Sequence, residues 1–391
     1  MSYKKVTLKK GREAPVRNRH HWIFSGAIDN IPLYDNGEIL AVYSFDGTFL
    51  GHAYFNKNTD IAGRMINFDH THPLEALKAN ILKAIELRES FFDKSTNCFR
   101  LVNGEGDSVP GLIIDKYNDV IVVQVSTLGM ELMKSHVIRC LIDFYGNKIS
   151  CIYEKSNMNS RKKEGINSFE GLLHGKEKTR VEVVENGIKF SVDIIKGQKT
   201  GLFLDMREMR KFVMDISKGK KVMNCFCYTG GFSLNAIKGG AEKADSIDIS
   251  EDAINNAKEN FKLNGVDLVN NKLIVGDVFD FLRKEQLNYD LVILDPPAFA
   301  KKKSDIENAK KGYYEINMTA LSKMPPKSML LTCSCSYHVD EVTFERVIAK
   351  AAKDAKRDIR IISKHRLAAD HPINIYHTEF DYLKSLLLYV V

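Results

Sequence analysis

Several things are scarce in these 391 residues. There are 9 prolines, one tryptophan and 25 glycines, which excludes a collagen-like or low-complexity chain. No apolar run approaches the roughly 18 residues that a spanning helix requires. The start, MSYKKVTLKK, alternates charged and apolar residues and shows no hydrophobic stretch of a secretory leader, so a cytoplasmic protein without a membrane partner is expected. Seven cysteines, an odd number scattered over a long chain, argue for reduced thiols and against a disulfide framework.

What is present is ordinary globular material, 44% hydrophobic and 27% charged, enough for two or three domains. The net charge of +7 permits a polyanionic partner, and the basic residues are clustered. Lys9, Lys10, Arg12, Arg17 and Arg19 crowd the first twenty positions with a single acid, Glu13, and a second cluster runs through Lys301, Lys302 and Lys303. Each is a candidate phosphate-binding patch, against the plainer reading of solvated surface lysines.

Hydrophobic periodicity divides the chain in three. Residues 1–70 read as short strands (VTLKK, EILAVYSF, TFLGHAYFN, IAGRMINF) with an Asp46-Gly47 turn, a small β module. Residues 73–180 open with a long amphipathic helix at Pro73 and continue as a mixed α+β segment, in which the polar stretch SNMNSRKKEGINS reads as a loop. Residues 181–391 alternate strand and helix, as an α/β domain with a parallel, Rossmann-like sheet requires.

The third region carries the chemistry. In KVMNCFCYTGGFSLNAI, an apolar strand runs into the turn Tyr228, Thr229, Gly230, Gly231 and then a helix. The GxGxxG spacing of a pyrophosphate cradle is absent, so a ligand without phosphate, such as S-adenosylmethionine, suits the turn better. Asp248 follows eighteen residues after Gly230, where an acid at the end of the next strand can take both ribose hydroxyls. Asp277 and Asp295 end two further strands. Asp277 is placed for an adenine amino group, with a helix N-cap as its plainer role.

LLTCSCSYHV puts Cys333 and Cys335 on one face of an extended segment. Together with Cys225 and Cys227 they make two CxC pairs, a conceivable zinc set, but the first pair lies in a buried strand and reads as core, so no metal is assigned. A thiolate is instead a suitable nucleophile for C6 of a pyrimidine, which activates C5 toward a sulfonium methyl. Asp295 would hold the ring at N3 and the exocyclic amine.

At these residues the chain resembles the class I methyltransferases of the ribosomal RNA large subunit methyltransferase I family, along essentially its whole length. LKKGREAPVRNRHHWIFSGAI is similar to the family's RNA-binding PUA domain and GEGDSVPGLIIDKY to its middle domain. KGQKTGLFLDMREMR, NCFCYTGGFSLNA, DIS, GDVFDFL, LDPPAFAKKK, SCS and AADHP follow its catalytic domain in order. The resemblance implies cytosine C5 methylation in 23S rRNA or a large-subunit assembly intermediate, with S-adenosylmethionine as cofactor and a homodimer as assembly. It implies Tyr228, Thr229, Gly230, Gly231, Asp248, Ile249, Asp277, Val278 and Asp295 around the cofactor, with Gln198 and Thr200 over its methionine end. The SCS cysteine falls on Cys335; the TCS element of other RNA cytosine methyltransferases would select Cys333. DPP is followed here by Ala298 where those enzymes have a second cysteine, leaving the base for the C5 proton open, with His338 and His371 as chemical candidates. Two other readings stand beside this one: methylation of a purine nitrogen, since DPPAF resembles the DPPY or DPPF element, and an RNA-binding protein that has kept the fold without catalysis.

Overall fold

The computed structural model describes residues 3–391. They divide into two compact units: residues 3–183, 192–204 and 369–380 in the first, and residues 184–191, 205–368 and 381–391 in the second.

The first unit holds two sheets. The N-terminal one contains β1 (Lys5–Leu8), β2 (Trp22–Phe24), β3 (Ile28–Asn30), β4 (Ile39–Tyr43), β5 (Phe49–Phe55) and β6 (Ile61–Asn67), in the order β2-β6-β5-β4-β1-β3. The expected turn joins β4 to β5. Gly47 takes φ +83°, and Ser44 N–H donates to Thr48 O at 2.9 Å. The next sheet contains β7 (Cys98–Asn103), β8 (Leu112–Tyr117), β9 (Val120–Val125), β10 (Cys151–Ser156) and β11 (Phe169–Gly175), ordered β11-β10-β9-β8-β7. Helices Pro73–Phe91 and Leu128–Tyr145 cover it, and their buried stripes (Leu77, Ile81, Ile85; Met130, Val137, Leu141) interdigitate with Leu101, Ile114, Val123 and Ile152. The β module and the middle segment share this packing: Tyr54 of β5 is buried and its hydroxyl donates to Pro110 O at 2.9 Å.

Two sequence expectations change here. The polar stretch 156–168 is not a plain loop, since Ser160–Glu164 forms a short helix with Arg161 and Glu164 buried. Arg161 donates to Val125 O (2.8 Å) and pairs with Glu131 (2.9 Å), while Glu164 pairs with Arg64 (2.8 Å). Those partners are far away in the chain, so local polarity carried no sign of them. AADHP, taken above as part of the catalytic domain, lies in the first unit from Ala369 onward. Arg100 N–H donates to Asp370 Oδ2 (2.7 Å), and Asn103 Nδ2 to Pro372 O (3.1 Å).

Between the units' main bodies in sequence, β12 (Arg180–Glu185) and β13 (Ile188–Asp193) form a hairpin. The second unit is built on β14 (Lys221–Cys225), β15 (Lys243–Asp248), β16 (Leu273–Val275), β17 (Leu291–Leu294), β18 (Met329–Ser334), β19 (Ile359–His365) and β20 (Lys384–Val390), in the order β16-β15-β14-β17-β18-β20-β19. The first five strands are mutually parallel, and β20 pairs antiparallel with both β18 and β19. Strand order reverses beside β14, which makes the crevice outside the carboxyl ends of β14 and β17 the ligand position of such a sheet. The central strands β14, β17, β18 and β20 are buried on both faces, while the edge strands β16 and β19 are partly exposed.

The most demanding polar group of the first unit is Arg88, fully buried on the helix Pro73–Phe91. Its guanidinium pairs with both oxygens of Asp107 at 2.7 Å and donates to Arg100 O (2.9 Å) and Asp370 O (2.8 Å). Arg88→Met strands the Asp107 carboxylate in the interior, and the first unit should lose about 3–5 kcal/mol in denaturant unfolding. A loss below about 1 kcal/mol would contradict that assignment.

Candidate functional site

Parallel register sets the site. Cys225 of β14 stands opposite Ile247 of β15 and Leu294 of β17, and Leu294 opposite Thr332 of β18. The residues that follow these positions therefore share one edge of the sheet: the turn 226–231, Asp248, Asp295 and Cys335.

After β14 the backbone turns through three left-handed residues, Phe226 (φ 60°), Tyr228 (φ 48°) and Gly230 (φ +81°). Two of them carry side chains, a local strain of the kind retained at ligand-binding turns. At Gly230 a Cβ would come within 2.8 Å of the Phe261 ring, so glycine is required there by packing as well as by φ. Gly231 begins the helix Gly231–Lys238, and Thr229 is buried with its carbonyl taken by Asn260 Nδ2 at 3.0 Å.

Asp248 closes β15. Its carboxylate accepts Tyr228 N–H and Ser250 N–H, both at 2.9 Å, which fixes its orientation over the turn and leaves further lone pairs for a diol. Ile249, next along, is 70% exposed, an apolar face at the edge where a base would lie. An acceptor carboxylate, a strained turn and an uncovered isoleucine are a lining suited to an adenosine carrying no phosphate. Asp277 is the N-cap of the helix Val278–Lys284 and accepts Asp280 N–H at 2.9 Å, so its plainer role is realised. Val278 turns its side chain into the core, leaving only its backbone for a ligand. Gln198 and Thr200 fall in the first unit; Gln198 is exposed, and the Thr200 hydroxyl is bonded to Asp115 (2.6 Å) and Tyr117 (2.9 Å).

The four thiols separate cleanly. Cys225 and Cys227 are core, and burial pushes both far up in pKa, as expected of inert thiols. Cys333 is also buried, its thiol raised by desolvation and by the nearby Asp295 carboxylate. Cys335 alone is part-exposed, and its Sγ–H donates to Pro296 O at 3.7 Å, linking the ends of β18 and β17.

The flanks of Cys335 explain its placement. Ser334 and Ser336 are fully buried, and their hydroxyls meet the Tyr313 hydroxyl at 2.9 Å each, from the helix Ile306–Lys323. Ser336 Oγ also accepts Ala300 N–H (3.1 Å), which fastens the DPPAFA loop to the same point. Lys384 of β20 is buried and donates to Ser336 O and Tyr382 O at 2.7 Å each. Burial lowers its pKa to about 8, against which a Cys335 thiolate favours the charged form. Sequence reasoning missed Lys384; a lone lysine opening a mostly apolar final strand was the available signal.

Of the basic candidates, Lys9, Lys10, Arg12, Arg17 and Arg19 are exposed in the first unit, with Arg17 paired to Asp46 at 2.9 Å. Exposed Phe24 and Phe45 lie in the same β module, and Lys10 sits over the Phe45 ring. Arg19 lines a cavity of about 470 Å³ with Phe68, Asn80, Lys83 and Tyr376. Lys301, Lys302 and Lys303 are exposed in the second unit. His338 is half-buried against Tyr337; His371 is buried in the first unit with Nδ1 2.9 Å from Asp370.

A five-stranded parallel core with an antiparallel return, a strained glycine turn and a carboxylate at the end of the second strand define an S-adenosylmethionine-dependent methyltransferase. The family model of that description matches residues 159–357, and a PUA-like domain model matches residues 6–68. A crystal structure of the methyltransferase SMU.776 complexed with SAH superposes over the full length of both chains with a TM-score of 0.85 and 26% identity. A SAM-dependent methyltransferase from Streptococcus mutans does so with a TM-score of 0.84 over 99% of this chain. Ribosomal RNA large subunit methyltransferase I of Vibrio cholerae is 38% identical over 97% of this chain and 98% of its own, and that of Aliivibrio fischeri 39% over 99% of both. The chain belongs to the ribosomal RNA large subunit methyltransferase I family, and its cofactor is S-adenosylmethionine.

Asp248→Ala removes a charged acceptor for the ribose, and S-adenosylmethionine binding should weaken by about 10- to 100-fold in calorimetry. An unchanged Kd would show that the ribose is held elsewhere.

Proposed function

We propose that this protein methylates C5 of a cytosine in 23S rRNA, free or within a large-subunit assembly intermediate, through a covalent adduct on Cys335. One observation carries the proposal: the single part-exposed thiol of the chain stands at the edge that carries Asp248 and Asp295, beside the Lys384 ammonium. The names of the relatives in Vibrio and Aliivibrio support the rRNA class of substrate.

The Lys384 charge favours the thiolate of Cys335, which forms a bond to C6 of a cytosine turned out of its stack. The electron pair displaced from the C5–C6 bond makes C5 nucleophilic, while Asp295 shares a proton with N3 and the exocyclic amine as charge develops there. S-adenosylmethionine supplies a sulfonium methyl, the electrophile that C5 attacks. Loss of the C5 proton returns an electron pair to the C5–C6 bond and expels the Cys335 thiolate. Tyr313, through Ser334 and Ser336, keeps the thiol at the strand end during both bond changes. The exposed bases of the N-terminal module and Lys301 to Lys303 supply phosphate contacts, so binding should weaken steeply with salt.

Methyl transfer from labelled S-adenosylmethionine to unmodified 23S rRNA, followed by nucleoside analysis, tests the proposal. The label should appear in 5-methylcytidine, fall by at least about 10³-fold with Cys335→Ala and persist with Cys333→Ala. RNA carrying 5-fluorocytosine should form a stable protein adduct, since C5 then has no proton to release. Label in a nitrogen-methylated purine, indifferent to either cysteine, would overturn the proposal in favour of nitrogen methylation.

Lys384→Met removes a cation that favours the thiolate, so the thiol pKa rises. The ascending limb of the pH profile for kcat/KM should move to higher pH by about one unit. A loss of activity equal at every pH would give Lys384 a purely structural role.

A further inference from the structure

The segment that returns to the first unit, residues 369–380, ends against β2 in a cluster of imidazoles that the methyl-transfer chemistry does not use. His20 Nε2 lies 2.9 Å from Glu379 Oε1, and His377 Nε2 lies 3.6 Å from Glu379 Oε2. One donor atom from each of His20, His377 and Glu379 lies within 4.8 Å of the other two. Among the described residues no other group of three or more His, Cys, Asp or Glu residues is gathered in this way.

His377 is 1% exposed, and neither of its ring nitrogens has a hydrogen-bond partner. Leaving such a buried polar group unmade costs about 1–3 kcal/mol, so the arrangement calls for a ligand. The ring is held edge-on by Trp22, 4.5 Å between centroids, and Trp22 is itself fixed by an indole N–H donated to Glu105 at 2.8 Å. The His20 ring is anchored through Nδ1, which lies 3.2 Å from Trp22 N and 3.4 Å from Trp22 O, and this leaves Nε2 facing the carboxylate. Donation from Nδ1–H to that carbonyl is the tautomer that frees Nε2 to ligate, and a second nitrogen tied in this way is the usual support of a metal site. His21, also buried with both nitrogens unpartnered, has its ring centre 5.9 Å from that of His377.

We propose that His20, His377 and Glu379 bind one divalent transition-metal ion, best matched by Zn²⁺, which fastens residues 374–380 to the N-terminal β module. Two imidazoles and a carboxylate are a nitrogen and oxygen set that zinc takes readily, with the fourth position left to water. Tetrahedral zinc with ligands at about 2.0–2.1 Å sets them roughly 3.4 Å apart, so a small inward movement of the side chains closes the site. The sequence reading assigned no metal, because it weighed only the cysteine pairs; the two histidines lie 357 positions apart, as His20 and His377.

The test is a Co²⁺ titration of the chelator-treated full-length protein, followed by competition with Zn²⁺. One equivalent of Co²⁺ should produce visible d–d bands without the near-ultraviolet thiolate charge-transfer band, and Zn²⁺ should abolish them. His377→Gln and Glu379→Gln should each weaken binding by at least about 10-fold. His20→Gln, at a partly exposed ring, gives the same reading should His377→Gln fail to fold. Absence of bands at excess Co²⁺, bands that survive these substitutions, or a thiolate band would each overturn the proposal. Methyl transfer is not read in this experiment, so its outcome is independent of the cysteine mechanism.

Discussion

Common register among five parallel strands is the constraint on which the second unit's chemistry depends. Hydrogen bonding fixes Cys225, Ile247, Leu294 and Thr332 at one level. Whatever follows each strand is thereby brought to one edge without any loop having to find it. The turn 226–231 then needs only to reverse direction steeply, which its left-handed residues accomplish, and Asp248 locks it through Tyr228 N–H. The strain in that turn is borne by a sheet whose faces are closed by apolar packing.

A second layer of control acts on Cys335. Strand β18 runs two residues past the level of Thr332, so Cys335 leaves the ladder just where Ser334 and Ser336 are drawn onto Tyr313. The hydroxyls are buried and fully engaged, and the thiol between them faces the other way. A CxC spacing alone made Cys333 and Cys335 equivalent; burial of one and exposure of the other separates them.

Periodic and local signals were legible in the sequence: the β module, the helix from Pro73, the glycine turn, and the acids at strand ends. The alternation of strand and helix was likewise readable as a parallel sheet. What escaped was set by distant partners. Arg161 and Glu164 sit in a polar stretch, yet they are buried because Val125, Glu131 and Arg64 await them. AADHP looked continuous with the catalytic region, while Arg88 and Arg100 hold its Asp370 in the first unit. Asp277 was given a ligand role and a capping role with equal claim, and geometry shows the cap. Lys384 had no motif around it, and its meaning arises only from pairing β20 beside β18.

Six of the seven cysteines are shut inside the folded chain, and one is not. To a soft electrophile the protein therefore presents a single address, at the site edge. A probe placed there would report on cofactor and nucleic acid directly, with no need to delete competing thiols. The same arrangement gives oxidants one point of entry: damage to the folded protein would begin at Cys335 and leave the cores untouched.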